Sequence, residues 1–188
     1  MGRLSEGLVQ VYTGDGKGKT TAALGLALRA VGQGLRVCFV QFMKGDLGLG
    51  ERKAAARLSP EFELHWFCSP QWGDPSKAPP GTPWWQLPAS EEDRRQAQEG
   101  MAFARRSLTS GDYDVVILDE ILQALHCNLV PLDQVLSLIS ARPRHVELVL
   151  TGRGAPEEVV RAADLVTEMK DTKHPYESGV KARKGIEY

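Results

Sequence analysis

Thr13-Gly14-Asp15-Gly16-Lys17-Gly18-Lys19-Thr20-Thr21 is the stretch whose reading decides the fold. It follows a short β-prone run, residues 8–12 (LVQVY). It leads into residues 20–31, where Ala23, Leu24, Ala27, Leu28 and Val31 recur at helical spacing. A glycine-rich turn between a strand and a helix, ending in Gly-Lys-Thr, sits where the pattern G-x-x-x-x-G-K-[ST] must sit to work. Glycines let the backbone curl so that its N–H groups face phosphate oxygens, and the helix adds its positive end. Gly14, Asp15, Gly16, Lys17, Gly18, Lys19, Thr20 and Thr21 are therefore expected to grip a nucleoside triphosphate. Lys19 supplies a point charge for the terminal phosphates and the Thr20 hydroxyl reaches Mg²⁺. Thr13 stands at the pattern's first glycine position. Threonine takes positive φ only at a cost, so the loop is expected to differ slightly in path. The bland alternative is a glycine-rich turn that binds nothing.

Outward from the loop, residues 35–42 are nearly all apolar, as in a strand buried on both faces of a parallel sheet. A short charged helix is expected to start near Glu51, and a strand over 62–67. Residues 69–88 then break the pattern, with six prolines among glycines and Trp72, Trp84 and Trp85. So long an irregular stretch inside a compact domain is usually functional or disordered. Ser90 before Glu91-Glu92-Asp93 predicts a helix start, running to about Leu108. Further strands are expected at 115–118, 146–150 and 165–169, with helices at 121–125, 132–140 and 156–163. Strands alternating with helices imply an α/β fold: a single P-loop NTPase-like domain over residues 1–188, with a mostly parallel sheet covered by helices on both faces.

The apolar strand at 115–118 ends in Asp119-Glu120. Enzymes with such loops place there the carboxylate that holds Mg²⁺, directly or through water. Thr20, Asp119 and Glu120 are thus the candidate metal ligands, with Mn²⁺ an equal alternative to Mg²⁺ because both accept the same oxygens. The competing reading of Asp119 is an N-cap for the following helix.

A length of 188 residues suits one domain with a real core. The formal net charge of −1 supplies no basic field for nucleic acid. Cys38, Cys68 and Cys127 lie far apart with no ligand spacing, so a reduced compartment is expected. No apolar run approaches a membrane span and the first residues lack a signal-peptide core, so a cytoplasmic location is expected. His65, His126, His145 and His174 show no ligand spacing. For Lys44 and Arg52 the sequence leaves triphosphate contact and solvent exposure equally open.

The motifs together resemble one family. Thr13 through Ala23 is similar to the phosphate loop of the corrinoid adenosyltransferases, TGNGKGKTTAA, most of which carry the same threonine. Val40-Gln41-Phe42-Met43-Lys44-Gly45 is similar to the family's VQFIKG, Gly50-Glu51-Arg52 to its GER, and Leu118-Asp119-Glu120 to its LDE. Arg142-Pro143, Thr151-Gly152-Arg153-Gly154, and the tail from Lys173-His174-Pro175-Tyr176 to Gly185-Ile186-Glu187-Tyr188 match further blocks in order and spacing.

The resemblance implies transfer of the 5′-deoxyadenosyl group from ATP to the Co(I) of a reduced corrinoid, cob(I)alamin or cob(I)yrinic acid a,c-diamide, releasing triphosphate. It implies Lys19 and Glu120 as catalytic residues, with ATP seated in the loop in the reverse of the usual sense. Trp72 in the 69–88 loop becomes a cover for the corrinoid's lower face. Arg153, beside glycines after a strand end, is by its position equally open to a phosphate or ribose contact and to a capping or salt-bridge role. The family's phenylalanine two residues before that tryptophan is Pro70 here, and Trp84 and Trp85 are candidates to replace it. A reduced flavoprotein donor and a homodimer are further expectations. Three other readings of the loop remain: a hydrolase releasing phosphate, a small-molecule kinase releasing ADP, and a nucleotide-dependent switch.

Overall fold

The computed structural model describes residues 4–45, 48–69 and 89–187. Six strands form one sheet: β1 Val9–Thr13, β2 Val37–Phe42, β3 Phe62–Phe67, β4 Val115–Asp119, β5 Glu147–Thr151 and β6 Leu165–Glu168. Their spatial order is β3-β2-β4-β5-β1-β6, and every neighbouring pair is parallel. The helices are α1 Lys19–Gly32, α2 Gly50–Ala55, α3 Glu91–Thr109, α4 Ile121–His126, α5 Leu132–Ser140 and α6 Glu157–Ala162, with a 3₁₀ turn at Pro175–Ser178. The expected α/β order holds throughout, with boundaries shifted by a residue or two.

Strand alternation sorts the core into two layers. Val37, Phe39, Val115, Ile117 and Val149 face α1 and α2, meeting the small stripe Ala23, Ala27 and Ala30. Cys38, Val40, Val116, Leu118, Leu148 and Leu150 face the other way, under α3, α4, α5 and α6. Strands β2 and β4 are buried at every position, which is why their sequences read as unbroken apolar runs. Burial pushes the Cys38 thiol up to about 12, as befits a small core residue.

Local chemistry sets the helix starts. Ser90 Oγ accepts from the Asp93 N–H at 3.2 Å while the Asp93 carboxylate accepts from the Ser90 N–H at 2.8 Å, a reciprocal cap on α3. At the far edge β6 differs from the rest: its four residues are all exposed. No helix among the described residues is long and apolar enough to cross a membrane.

Candidate functional site

In a parallel α/β sheet the carboxyl ends of the strands and the turns after them build the binding crevice. Here β1 ends in the loop 14–18. Gly14 and Gly18 take φ of 96° and 124°, conformations that a side chain would strain. A Cβ on Gly14 would also stand 2.4 Å from the Met169 carbonyl oxygen, and the Gly16 N–H donates to that same carbonyl at 2.7 Å. The segment after β6 therefore clamps the loop from outside. Thr13 does not take positive φ. It closes β1 in extended form, and its hydroxyl accepts from the Ala155 N–H at 3.3 Å, so the residue expected to perturb the loop instead ties it to the turn after β5.

Helix α1 begins at Lys19 without a side-chain cap. Lys19 is buried and folds back into the loop, its Nζ donating to the Gly14 and Gly16 carbonyls at 2.6 and 2.8 Å. Burial lowers its pKa, while Glu120, Asp15 and Asp119 pull the other way.

Thr20 Oγ1 donates to Asp119 Oδ1 at 2.9 Å, joining the loop to the end of β4. Asp119 is fully buried, and the same Oδ1 accepts from Thr151 Oγ1 at 2.7 Å. Thr151 in turn accepts from the Glu120 N–H at 2.9 Å. Glu120 sits in the left-handed region, φ 63°, where it ends β4 and starts α4. Asp119 is accordingly not the N-cap of that helix, because Glu120 occupies the position. Burial raises the Glu120 pKa, and Asp119 beside it raises it further, against the pull of Lys44, Lys19 and Arg153.

Lys44 is turned inward rather than into solvent. Met43, at φ 57°, turns the chain after β2, and Lys44 Nζ reaches Asp119 Oδ2 at 2.6 Å and Thr20 Oγ1 at 3.0 Å. Burial alone would lower the Lys44 pKa, but Asp119 and Glu120 outweigh it and leave it raised. Arg52 serves that segment rather than the cavity. It donates to Gln41 Oε1 at 3.1 Å and the Lys44 carbonyl at 2.7 Å, and stacks on Trp66 at 4.3 Å. Fully buried Gln41 donates to Glu51 at 3.1 Å. The blocks 40–45 and 50–52 are therefore one bracket that aims Lys44.

These residues border a cavity of about 1030 Å³. Asp15 through Thr21, Lys44, Glu120 and Arg153 make its polar end. Leu24, Leu28, Leu49 and Leu58 make an apolar wall, and His174, Ile186 and Glu187 of the tail form the far side. Arg153 is exposed and lies 4.0 Å from Asp15, which places it at the rim. His174 also accepts from the Tyr176 N–H at 3.2 Å, starting the 3₁₀ turn. Trp72, Trp84, Trp85 and Pro70 lie outside the described residues. Thr151 was missed from the sequence. The signal available for Thr151 was its place one residue after the apolar β5 run, level with the end of β4.

The donor set suits a hard divalent cation. Adjacent ligands of an octahedral Mg²⁺, with bonds of roughly 2.0–2.1 Å, stand about 2.9 Å apart. The Thr20 Oγ1 to Asp119 Oδ1 distance is 2.9 Å. Among the described residues no three His, Cys, Asp or Glu side chains could hold an ion by themselves. An ion here would thus take several ligands from phosphate and water, as Mg²⁺ usually does.

Residues 5–188 match the family described as ATP:corrinoid adenosyltransferase BtuR/CobO/CobP. The chain is 36% identical over 182 residues to a corrinoid adenosyltransferase of Escherichia coli K12, covering 97% of this chain and 86% of that one. It is 37% identical over 182 residues to the corrinoid adenosyltransferase CobA of Salmonella typhimurium, with the same coverage of both chains. It is 36% identical over 186 residues to a Pseudomonas aeruginosa corrinoid adenosyltransferase, covering 99% and 86%. Among solved structures, a KaiC-like protein from Pyrococcus horikoshii OT3 superposes with a TM-score of 0.54 at 16% identity, covering 88% of this chain and 74% of that one. That likeness concerns the fold alone.

Proposed function

The chain belongs to the ATP:corrinoid adenosyltransferase family, and from that premise we propose that it moves the 5′-deoxyadenosyl group of ATP onto the Co(I) of cob(I)alamin or cob(I)yrinic acid a,c-diamide and releases triphosphate. The observation that carries the reading is the convergence of Lys19, Thr20 and Glu120 at the polar end of one large cavity. Asp119 lies directly behind Thr20.

Co(I) brings its own electron pair, so no side chain is needed as a nucleophile. The pair forms the Co–C5′ bond, the C5′–O bond breaks, and its electrons leave on the triphosphate oxygen, with cobalt formally Co(III). The protein's share is orientation and charge. Lys19 leaves its two carbonyl partners for the phosphates, Lys17 and Arg153 add positive charge at the rim, and loop N–H groups hold the chain of phosphates. When bound on Thr20, Asp119 and Glu120, Mg²⁺ or Mn²⁺ supplies further neutralisation of the leaving group. Trp72 and the loop 69–88 would cover the corrinoid. A reduced flavoprotein donor, a homodimer and a cytoplasmic location complete the reading.

The test mixes protein, ATP, Mg²⁺ and chemically reduced cob(I)alamin without oxygen. The expected result is a light-sensitive adenosylated corrinoid and equimolar triphosphate. An unchanged corrinoid with accumulating phosphate or ADP would return the chain to the hydrolase or kinase alternatives.

A further inference from the structure

Lys44 puts a positive charge on Thr20 and Asp119, two of the three side chains assigned to hold the metal ion. Its Nζ stands 3.0 Å from Thr20 Oγ1 and 2.6 Å from Asp119 Oδ2. Its side chain is only 19% exposed, and that of Asp119 is not exposed at all. A divalent ion on Thr20 and Asp119 would lie within a few ångströms of this ammonium, in a setting with little water to screen the two. Alone, the ion is repelled, because Lys44 already neutralises Asp119. Brought with a triphosphate, it meets enough negative charge to offset both cations, and Lys44 gains phosphate oxygens in place of Thr20.

Position matters as well as charge. The parallel register sets Gln41 of β2 beside Asp119 of β4. The bend at Met43 and the Arg52 hydrogen bond to the Lys44 carbonyl then bring Lys44 back over that carboxylate. A lysine free in solvent needs no such bracket.

We propose that Lys44 makes metal binding conditional on the polyphosphate: its ammonium excludes free divalent ions from Thr20 and Asp119 and admits them as the metal–nucleotide complex. The inference rests on the assignment of Thr20 and Asp119 as metal ligands.

The test measures free Mn²⁺ binding by electron paramagnetic resonance, and Mn²⁺–ATP binding by calorimetry, on the full chain and its variants. In K44M, affinity for free Mn²⁺ rises about tenfold or more, because the repelling charge is gone. Affinity for Mn²⁺–ATP falls about tenfold, because a charged phosphate contact is lost. The opposite signs are the signature. K44R keeps the charge and leaves free Mn²⁺ binding near the wild-type level. K44Q loses the charge but keeps a donor for Asp119, so it carries the same test if K44M does not fold.

If both affinities fall together, or neither moves, Lys44 only braces Asp119 and the proposal is overturned. D119N and T20V separately test its premise. Mn²⁺–ATP binding unchanged in both would remove the metal assignment, and the proposal with it.

Discussion

The two sides of the cavity are built differently. On one side Asp119, Thr151, Thr20, Lys44 and the Glu120 backbone form a continuous hydrogen-bonded chain linking β4, β5, α1 and the turn after β2. On the other, residues 175–187 are exposed throughout and bond among themselves, as in the Arg183 to Glu187 pair at 3.0 Å. Groups that must hold charge in a fixed place are wired into the core. The tail shapes the cavity without being held by it, which is the usual division between rigid chemistry and low-stability covering segments.

The largest effect expected from this contrast is on the wired side. K19A should lower kcat/KM for adenosyl transfer about 10²–10³-fold, as does loss of one preorganised charge-stabilising group elsewhere. Steady-state rates with reduced cobalamin check it, and a loss under tenfold would detach Lys19 from the chemistry.

T151V removes one of the two donors to Asp119 Oδ1 and the acceptor of the Glu120 N–H. It should cost about 1–3 kcal/mol and several degrees in Tm, seen by calorimetry. A Tm unchanged to within a degree would mean the chain of bonds is decorative.

E120Q should do the reverse. The Glu120 pKa is raised in the folded protein by burial and by Asp119, so folding favours its protonated form. That benefit is fully present below the ordinary carboxyl pKa of 4.5 and is lost as pH rises through the higher folded value. Gln mimics the protonated form, so E120Q should be more stable than wild type at pH 8 and no different near pH 4, while losing activity. Thermal melts across pH read this directly. An E120Q variant less stable at pH 8 would show that the carboxylate is favourably paired.

The smallest stability effect belongs to the tail. Ending the chain after Thr172 keeps the Met169 bonds to Gly16 and Thr13. Stability should change by less than about 0.5 kcal/mol, while KM for ATP rises because one wall of the cavity is gone. A melting loss as large as that of T151V would erase the contrast.

How much of this was legible depended on range. The strand–turn–helix over residues 9–32, the buried β2 and β4 and the Ser90 cap are written in residues a few positions apart, and each element formed as expected. Asp119-Glu120 could be suspected for the same reason, as an acidic pair closing an apolar run. The exposure of β6 could not be read, because Leu165 and Val166 look like core until the sheet order puts them at an edge. Lys44 was undecidable for the same kind of reason. Its role follows from the register that pairs Gln41 with Asp119, 78 positions away by their numbers, together with a left-handed bend at Met43. Thr151 needed the β4–β5 pairing before its hydroxyl had a purpose. Arg52, open by sequence to triphosphate contact or solvent, proved to be a brace by its neighbours.

The sheet order also carries a temporal consequence. β1 has β5 on one side and β6 on the other, so it pairs only with strands made after β2, β3 and β4. A chain that has emerged only through β4 can assemble β3-β2-β4 and bring Thr20 to Asp119 and Lys44, yet β1 has no strand to pair with. The Gly16 and Thr13 backbone bonds to Met169 make that residue the final clasp. The outer clasp on the loop therefore forms only once β6 and Met169 are in place.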